Sequence, residues 1–314
     1  MSINQLVETM QQQADSPFNM LNDRAYQQWR SAKLKDYPSS SEDLVTELED
    51  PYALTKHEQR NMLLVLNKTN MAIYRCMKPE SYLEKRLVSR LGQQFGLQRL
   101  DNNLCADEDS ITSLTVVEGG RHKGYIPYSN RPLNWHTDGY YNTGSDQIRG
   151  IILHCVQDAA SGGDNALLDH EMVYLLMRDA SPAMVEAMMA EDAMTIPANT
   201  EGGEEIRDAQ TGPVFSLDVS GNLHMRYTAR KRNIIWKDDA ATREAVKFLE
   251  ELMGSDSAHI FRHHLQPGEG LLCNNVLHTR TRFEDDEAAH GKRLLYRARY
   301  FDRIANTDVC REGN

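Results

Sequence analysis

The chain has 314 residues, 35 Lys and Arg against 46 Asp and Glu, and a formal net charge of −11. That balance repels phosphate backbones and anionic membrane surfaces, which argues against nucleic-acid or membrane binding through a general basic face but leaves room for a local basic pocket. The length is near the upper size of one hydrophobic core, and the five widely spaced cysteines contain no C-x-x-C pair, so neither a disulfide framework nor a zinc ribbon is expected.

In chain order, residues 1–50 are polar, with weak helical patterning over Ile3–Met10 and Ala25–Leu34 and a loop at Tyr37-Pro38-Ser39-Ser40-Ser41. They read as a peripheral helical segment, followed by one domain over 51–314. No basic n-region leads into an apolar h-region and no apolar run has bilayer length, so cytoplasmic residence is the expectation. Thr55-Lys56-His57-Glu58 is a capping-box pattern that starts a helix running to about Asn67. Ser81-Tyr82-Leu83-Glu84 repeats the signal, and Leu87, Val88, Leu91 and Phe95 follow at helical spacing until Gly96.

From residue 111 short apolar runs alternate with turn residues. The expected strands are Thr112–Val117, Gly150–Val156, Val214–Asp218, Leu223–Tyr227, His259–His263, Gly270–Cys273 and Leu294–Phe301. Expected helices are His170–Arg178, Pro182–Ala190 and Ala240–Met253, the last ending at Gly254. Strands spread over most of the chain with helices inserted predict a mainly β protein with flanking helices, an antiparallel barrel or sandwich.

Three features carry chemistry. Asn134-Trp135-His136-Thr137-Asp138 contains an H-x-D, whose first and third residues point to one side of an extended backbone. Imidazole with carboxylate suits a divalent transition metal, although for an isolated H-x-D a hydrogen-bonded loop pair is the commoner explanation. Gly268 to Arg280 reads as a turn, a buried strand and a polar loop that delivers His278 at a strand end. Two His and one carboxylate can occupy one face of an octahedron and leave three positions open. In Arg293 to Phe301, the period of a strand sets Arg293, Leu295, Arg297 and Arg299 on one face. Guanidinium groups there make either an anion-binding wall or an exposed outer strand. The remaining histidines, His224 and His263-His264 among them, read as structural or solvated, and the methionines between 172 and 194 read as core filling.

Together the N-W-H-T-D at 134–138, Gly162-Gly163-Asp164-Asn165, the G-x-G-L-L…N-N-x-x-L-H-x-R at 268–280 and the R-x-x-x-R at 293–297 resemble the TauD/TfdA superfamily. These are Fe(II)- and 2-oxoglutarate-dependent dioxygenases, taurine dioxygenase and γ-butyrobetaine hydroxylase among them, and glutarate hydroxylase is similar more loosely. The resemblance implies a double-stranded β-helix, the jelly-roll or cupin-like barrel. It also implies iron ligation by His136, Asp138 and His278, and a clamp on the distal carboxylate of 2-oxoglutarate by Arg293. Asn165 falls where that carboxylate usually meets a Thr hydroxyl, and Asn274-Asn275 where Asp-Asn is usual. Arg297 and Tyr141 fall at substrate-binding places.

The implied reaction uses O2 and converts 2-oxoglutarate to succinate and CO2. An aliphatic C–H of a small anionic metabolite, carrying a carboxylate, sulfonate or phosphonate, is hydroxylated or hydroxylated and then cleaved. The carboxylate of Asp138 favours hydroxylation, since halogenating relatives have a small residue there. A homo-oligomer, common among relatives, is the expected assembly. A metal hydrolase fits the ligands but has no use for the Arg293 clamp. A barrel that senses or stores a small acid without oxidising it remains the alternative.

Overall fold

The computed structural model describes residues 11, 14–102, 109–117, 126–142, 144–201, 204–230, 234–286, 288 and 291–309. Along the chain run helix α1 (Asp23–Leu34), strand β1 (Val45–Leu48), α2 (Lys56–Thr69), β2 (Met71–Cys76), α3 (Arg86–Gln94), β3 (Thr112–Leu114), β4 (Leu133–His136), β5 (Gly150–Gln157) and β6 (Asn165–Leu168). There follow α4 (His170–Ala180), α5 (Pro182–Met189), β7 (Met194–Ile196), β8 (Phe215–Leu217), β9 (Leu223–Met225), α6 (Ala240–Met253), β10 (Ile260–His263), β11 (Glu269–Cys273), β12 (Leu277–Arg280) and β13 (Leu294–Tyr300). Shorter strands stay unlabelled. No described helix is long and apolar enough to cross a membrane.

A six-stranded sheet has the order β1-β2-β11-β5-β13-β3, and a four-stranded sheet the order β10-β6-β12-β4. They form the two facing halves of the expected jelly roll. Side-chain alternation divides each strand of the larger sheet between two cores. Ile73, Ile151, Leu153, Cys155, Leu271, Cys273 and Leu295 pack between the sheets with Leu167 and Phe261 of the smaller one. Their neighbours Ala72, Tyr74, Ile152, Leu272, Ala298 and Tyr300 pack under α2 and α3, against Met62, Leu66, Leu87, Val88 and Leu91. The outer face of the smaller sheet, with Leu168, Ile260 and Leu277, is covered by α4, α5 and α6 through Val173, Met177, Met184, Val185, Met188 and Leu249. Thus the methionines fill the core.

Helix α2 begins at the expected Thr55–Glu58 capping box and ends at Asn70, whose φ of 57° reverses the chain directly into β2. Helix α3 begins at Arg86, later than expected, because Pro79–Ser81 forms a separate 3-10 turn. Sequence analysis left β1, β2 and β6 unassigned, and β12 replaces the expected polar loop around His278. Val45–Leu48 lies within the span read as peripheral, yet it pairs in parallel with β2 at the sheet edge. The helical pattern at Ile3–Met10 lies outside the described residues.

Helix α1 is fastened by Tyr26 and Trp29, which pack around Tyr174 in the core, and by a buried charge at its other end. Lys33 is buried, with its Nζ 2.7 Å from Asp169 and 2.6 Å from Glu171. Asp169 also caps α4 by accepting from the Glu171 N–H at 2.9 Å, and it accepts from Asn70 Nδ2 at 3.0 Å. Replacing one partner of such a buried set leaves uncompensated charge, so Lys33→Met should cost about 3–5 kcal/mol. Urea unfolding of the variant, with a lowered midpoint at unchanged slope, checks this.

Candidate active site

Strand β12 pairs antiparallel with β4 so that His278 stands opposite His136. The chain leaves β4 at His136 and places Asp138 two residues on, and one ligand atom from each of His136, Asp138 and His278 lies within 4.8 Å of the others. The two imidazole centroids are 4.3 Å apart, and His136 Nε2 is 3.6 Å from Asp138 Oδ1. Each ring is oriented by its own backbone: His136 Nδ1 lies 2.8 Å from the Asn134 carbonyl and His278 Nδ1 lies 2.9 Å from the Val276 carbonyl. A carbonyl only accepts, so each Nδ1 carries the proton and each Nε2 keeps its lone pair for a metal. Burial and then neighbouring His136 push His278 down to about 4, so it is neutral at pH 7.

Burial alone would raise the Asp138 carboxyl. The neighbouring Arg297 and Arg299 guanidinium groups more than offset it and hold Asp138 well below the usual carboxylate range. The three side chains therefore offer two neutral nitrogens and one carboxylate oxygen, a donor set that fits Fe(II).

Asn275 holds this arrangement together. Its Oδ1 accepts from the Asp138 N–H at 2.8 Å, while its Nδ2 donates to the carbonyls of Asp138 at 2.9 Å and Ile148 at 2.6 Å. The backbone there has φ of 49°, a conformation Asn tolerates. One amide thus ties the H-x-D loop to the segment leading into His278. Thr137, between the first two ligands, exchanges hydrogen bonds with Tyr227: its N–H donates to the Tyr227 carbonyl at 3.0 Å and its Oγ1 accepts from the Tyr227 N–H at 3.1 Å. Sequence reading had noted Asn275 only as part of a motif; the signal for its role was its place directly before the apolar Val276-Leu277 that carries the distal His.

The arginines of β13 are buried. Arg293, Arg297 and Arg299 are 5%, 9% and 5% exposed, which excludes the outer-strand reading. Arg297 Nη1 lies 3.3 and 3.4 Å from the two Asp138 oxygens. Arg299 pairs with Asp101 and donates to the Tyr141 hydroxyl at 3.2 Å, so Tyr141 belongs to the same wall. The guanidinium of Arg207 sits 5.4 Å over the Tyr141 ring. Asp101 and Arg207 gave no local sign in the sequence.

Arg293 stacks 5.0 Å from the centre of the Phe283 ring, and a Cβ at Gly163 would stand 3.3 Å from its Nε. Gly162 has φ of 69°, and a Cβ there would meet the Arg282 carbonyl oxygen at 2.2 Å, so the G-G turn can close onto 281–283 only without a side chain. Thr281 Oγ1 accepts from the N–H groups of Gly163 at 3.0 Å and Asp164 at 2.9 Å, which fixes the approach to Asn165. Asn165 Nδ2 is buried without an acceptor among the described residues. Arg293 and this orphaned amide are suited to a carboxylate.

A family model described as taurine catabolism dioxygenase TauD, TfdA family matches residues 44–299. A uridine-5′-phosphate dioxygenase from an Amycolatopsis species is 31% identical over 184 residues, which span 56% of this chain and 64% of that protein. This chain therefore matches less than two thirds of that relative's length. Among solved structures, an asparagine oxygenase in complex with Fe(II), 3-hydroxyasparagine and succinate superposes with a TM-score of 0.57 at 14% identity, covering 87% of this chain and 89% of that one. A taurine dioxygenase from Burkholderia xenovorans gives 0.54 at 16% identity, covering 84% and 89%. These two likenesses show a shared fold.

Since the Asn275 amide grips both the N–H and the carbonyl of Asp138 from the segment that leads to His278, Asn275→Ala should weaken Fe(II) affinity about ten- to hundredfold, the usual cost of losing support behind metal ligands. Anaerobic Fe(II) titration, with circular dichroism to confirm folding, measures it.

Proposed function

The chain belongs to the TauD/TfdA dioxygenase family, and from that premise we propose that it is an Fe(II)- and 2-oxoglutarate-dependent dioxygenase acting on an aliphatic C–H of a small anionic substrate. The observation that carries this reading is the convergence of His136, Asp138 and His278 on one point, beside a wall of buried arginines. Fe(II), when bound, supplies oxygen activation coupled to decarboxylation of 2-oxoglutarate to succinate and CO2.

The protein's own residues do the rest. His136, Asp138 and His278 hold the metal on one side and leave the other open to ligands. Arg293 and Asn165 take the distal carboxylate of 2-oxoglutarate. Arg297, with Tyr141 held by Arg299, orients the anionic end of the substrate so that its C–H bond lies near the metal. Tyr140, edge-on to Tyr141 at 5.2 Å, helps exclude water from that space. The Amycolatopsis relative named for uridine-5′-phosphate supports a substrate whose anion is a phosphate, and two-point guanidinium contact suits phosphate as well as carboxylate or sulfonate. Buried free thiols at Cys76, Cys155 and Cys273 fit a reducing compartment such as the cytoplasm.

Fe(II)-loaded protein supplied with 2-oxoglutarate and a panel of nucleoside 5′-monophosphates, small carboxylates and sulfonates should form succinate in step with oxygen uptake on at least one of them. Binding of iron and 2-oxoglutarate with no turnover across the panel would favour the sensor or storage alternative. His136→Ala should abolish Fe(II) binding. Arg293→Ala should raise the 2-oxoglutarate requirement about ten- to hundredfold, the scale of one lost charge-assisted pair, with kcat nearly unchanged.

A further inference from the structure

We propose that Arg280 is a third donor to the distal carboxylate of 2-oxoglutarate, acting with Arg293 and Asn165 in place of the arginine and hydroxyl that the family resemblance leads one to expect. The proposal rests on the functional reading above and concerns a residue that reading leaves unused.

The first observation is register. Arg280 pairs directly with Asn165 across β12 and β6, and it stands two residues beyond His278, so its side chain leaves the strand on the face that carries the metal ligand. The second is the Phe283 ring, which has the Arg280 guanidinium 4.8 Å and the Arg293 guanidinium 5.0 Å from its centre. Two buried guanidinium groups and a buried carboxamide therefore meet in one place.

The third observation concerns unmet hydrogen bonds. Arg280 Nη2 donates to the carbonyls of Ser129 at 2.8 Å and Arg131 at 2.5 Å. Its Nε, though buried, has no acceptor among the described residues, and neither has Asn165 Nδ2. Arg280 is 4% exposed, and neither it nor Arg293 makes an ion pair with a carboxylate among the described residues.

Buried donors without acceptors are costly, and adjacent buried cations more so, unless an anion completes them. A carboxylate has about four acceptor sites, enough for all three side chains. Asn165 explains why a third donor is useful. A Thr hydroxyl rotates to suit its partner, whereas a carboxamide donates only along the directions its plane allows, so a second guanidinium supplies what the hydroxyl would have given.

The test is anaerobic calorimetry on the Fe(II)-loaded protein, comparing 2-oxoglutarate with 2-oxopentanoate, which has the same carbon chain without the distal carboxylate. Arg280→Gln should weaken 2-oxoglutarate about ten- to hundredfold and leave 2-oxopentanoate unchanged. Arg280→Lys keeps a charge but loses the planar fork, and should weaken 2-oxoglutarate about tenfold with the same selectivity. Wild-type affinity in both variants overturns the proposal. So does equal loss for both acids, the result expected if Arg280 only braces the Ser129 and Arg131 carbonyls. Unmodified protein that loads iron but binds neither acid would instead overturn the functional reading beneath it.

Discussion

The site depends on the register of β12 against its two neighbours. Facing β4, it sets His278 opposite His136; facing β6, it sets Arg280 opposite Asn165. Side chains alternate along a strand, so a slip of one residue would turn both His278 and Arg280 to the helix side and dismantle the metal and co-substrate subsites together. Apolar anchors hold that register. Leu277 is buried among the helices outside the smaller sheet, and Val276 is buried between the sheets. Pairing on both edges leaves β12 little freedom, and Asn275 adds a side-chain clasp at its entrance.

Charge balance follows from the same geometry. An acidic protein of formal charge −11 keeps Arg280, Arg293, Arg297 and Arg299 inside, where each needs an anion. Asp101 pairs with Arg299, and Asp138 meets Arg297 through one Nη only, which leaves its buried Nε without a partner among the described residues for the substrate anion. Arg280 and Arg293 remain, side by side, for small anions drawn into the interior. The overall acidity therefore disfavours only large polyanions approaching the surface.

Much of this was legible in the sequence, for identifiable reasons. The H-x-D, the distal His and the period-two arginines are short-range patterns that survive without three-dimensional context. The capping box at Thr55 and the exact span of α6 were readable because caps are local hydrogen bonds. Strand β2 escaped because only Asn70 separates it from α2, and an αL Asn gives little punctuation in a sequence. Strand β12 looked like a loop because His278, Thr279 and Arg280 are polar, and His278 and Arg280 face a site rather than hydrocarbon. His263 is structural, as expected, but its partner, Glu269 at 2.9 Å, lies six residues on and across a turn. Pairs such as Arg299 with Asp101, or Lys33 with Asp169, join distant parts of the chain, and no local pattern announces them.

The parallel pairing of β1 with β2, bridged by α2, has a consequence for how the molecule assembles. This β–α–β unit occupies residues 45–76 and closes a short loop, so its entropic cost is modest and it can form early. The contacts that complete the metal centre, such as Asn275 with Asp138, join residues 137 positions apart. They require β11, the strand that leads into Asn275, to lie between β2 and β5. A form that opens these long-range contacts would lose its capacity for iron even while the short-range β–α–β unit stands.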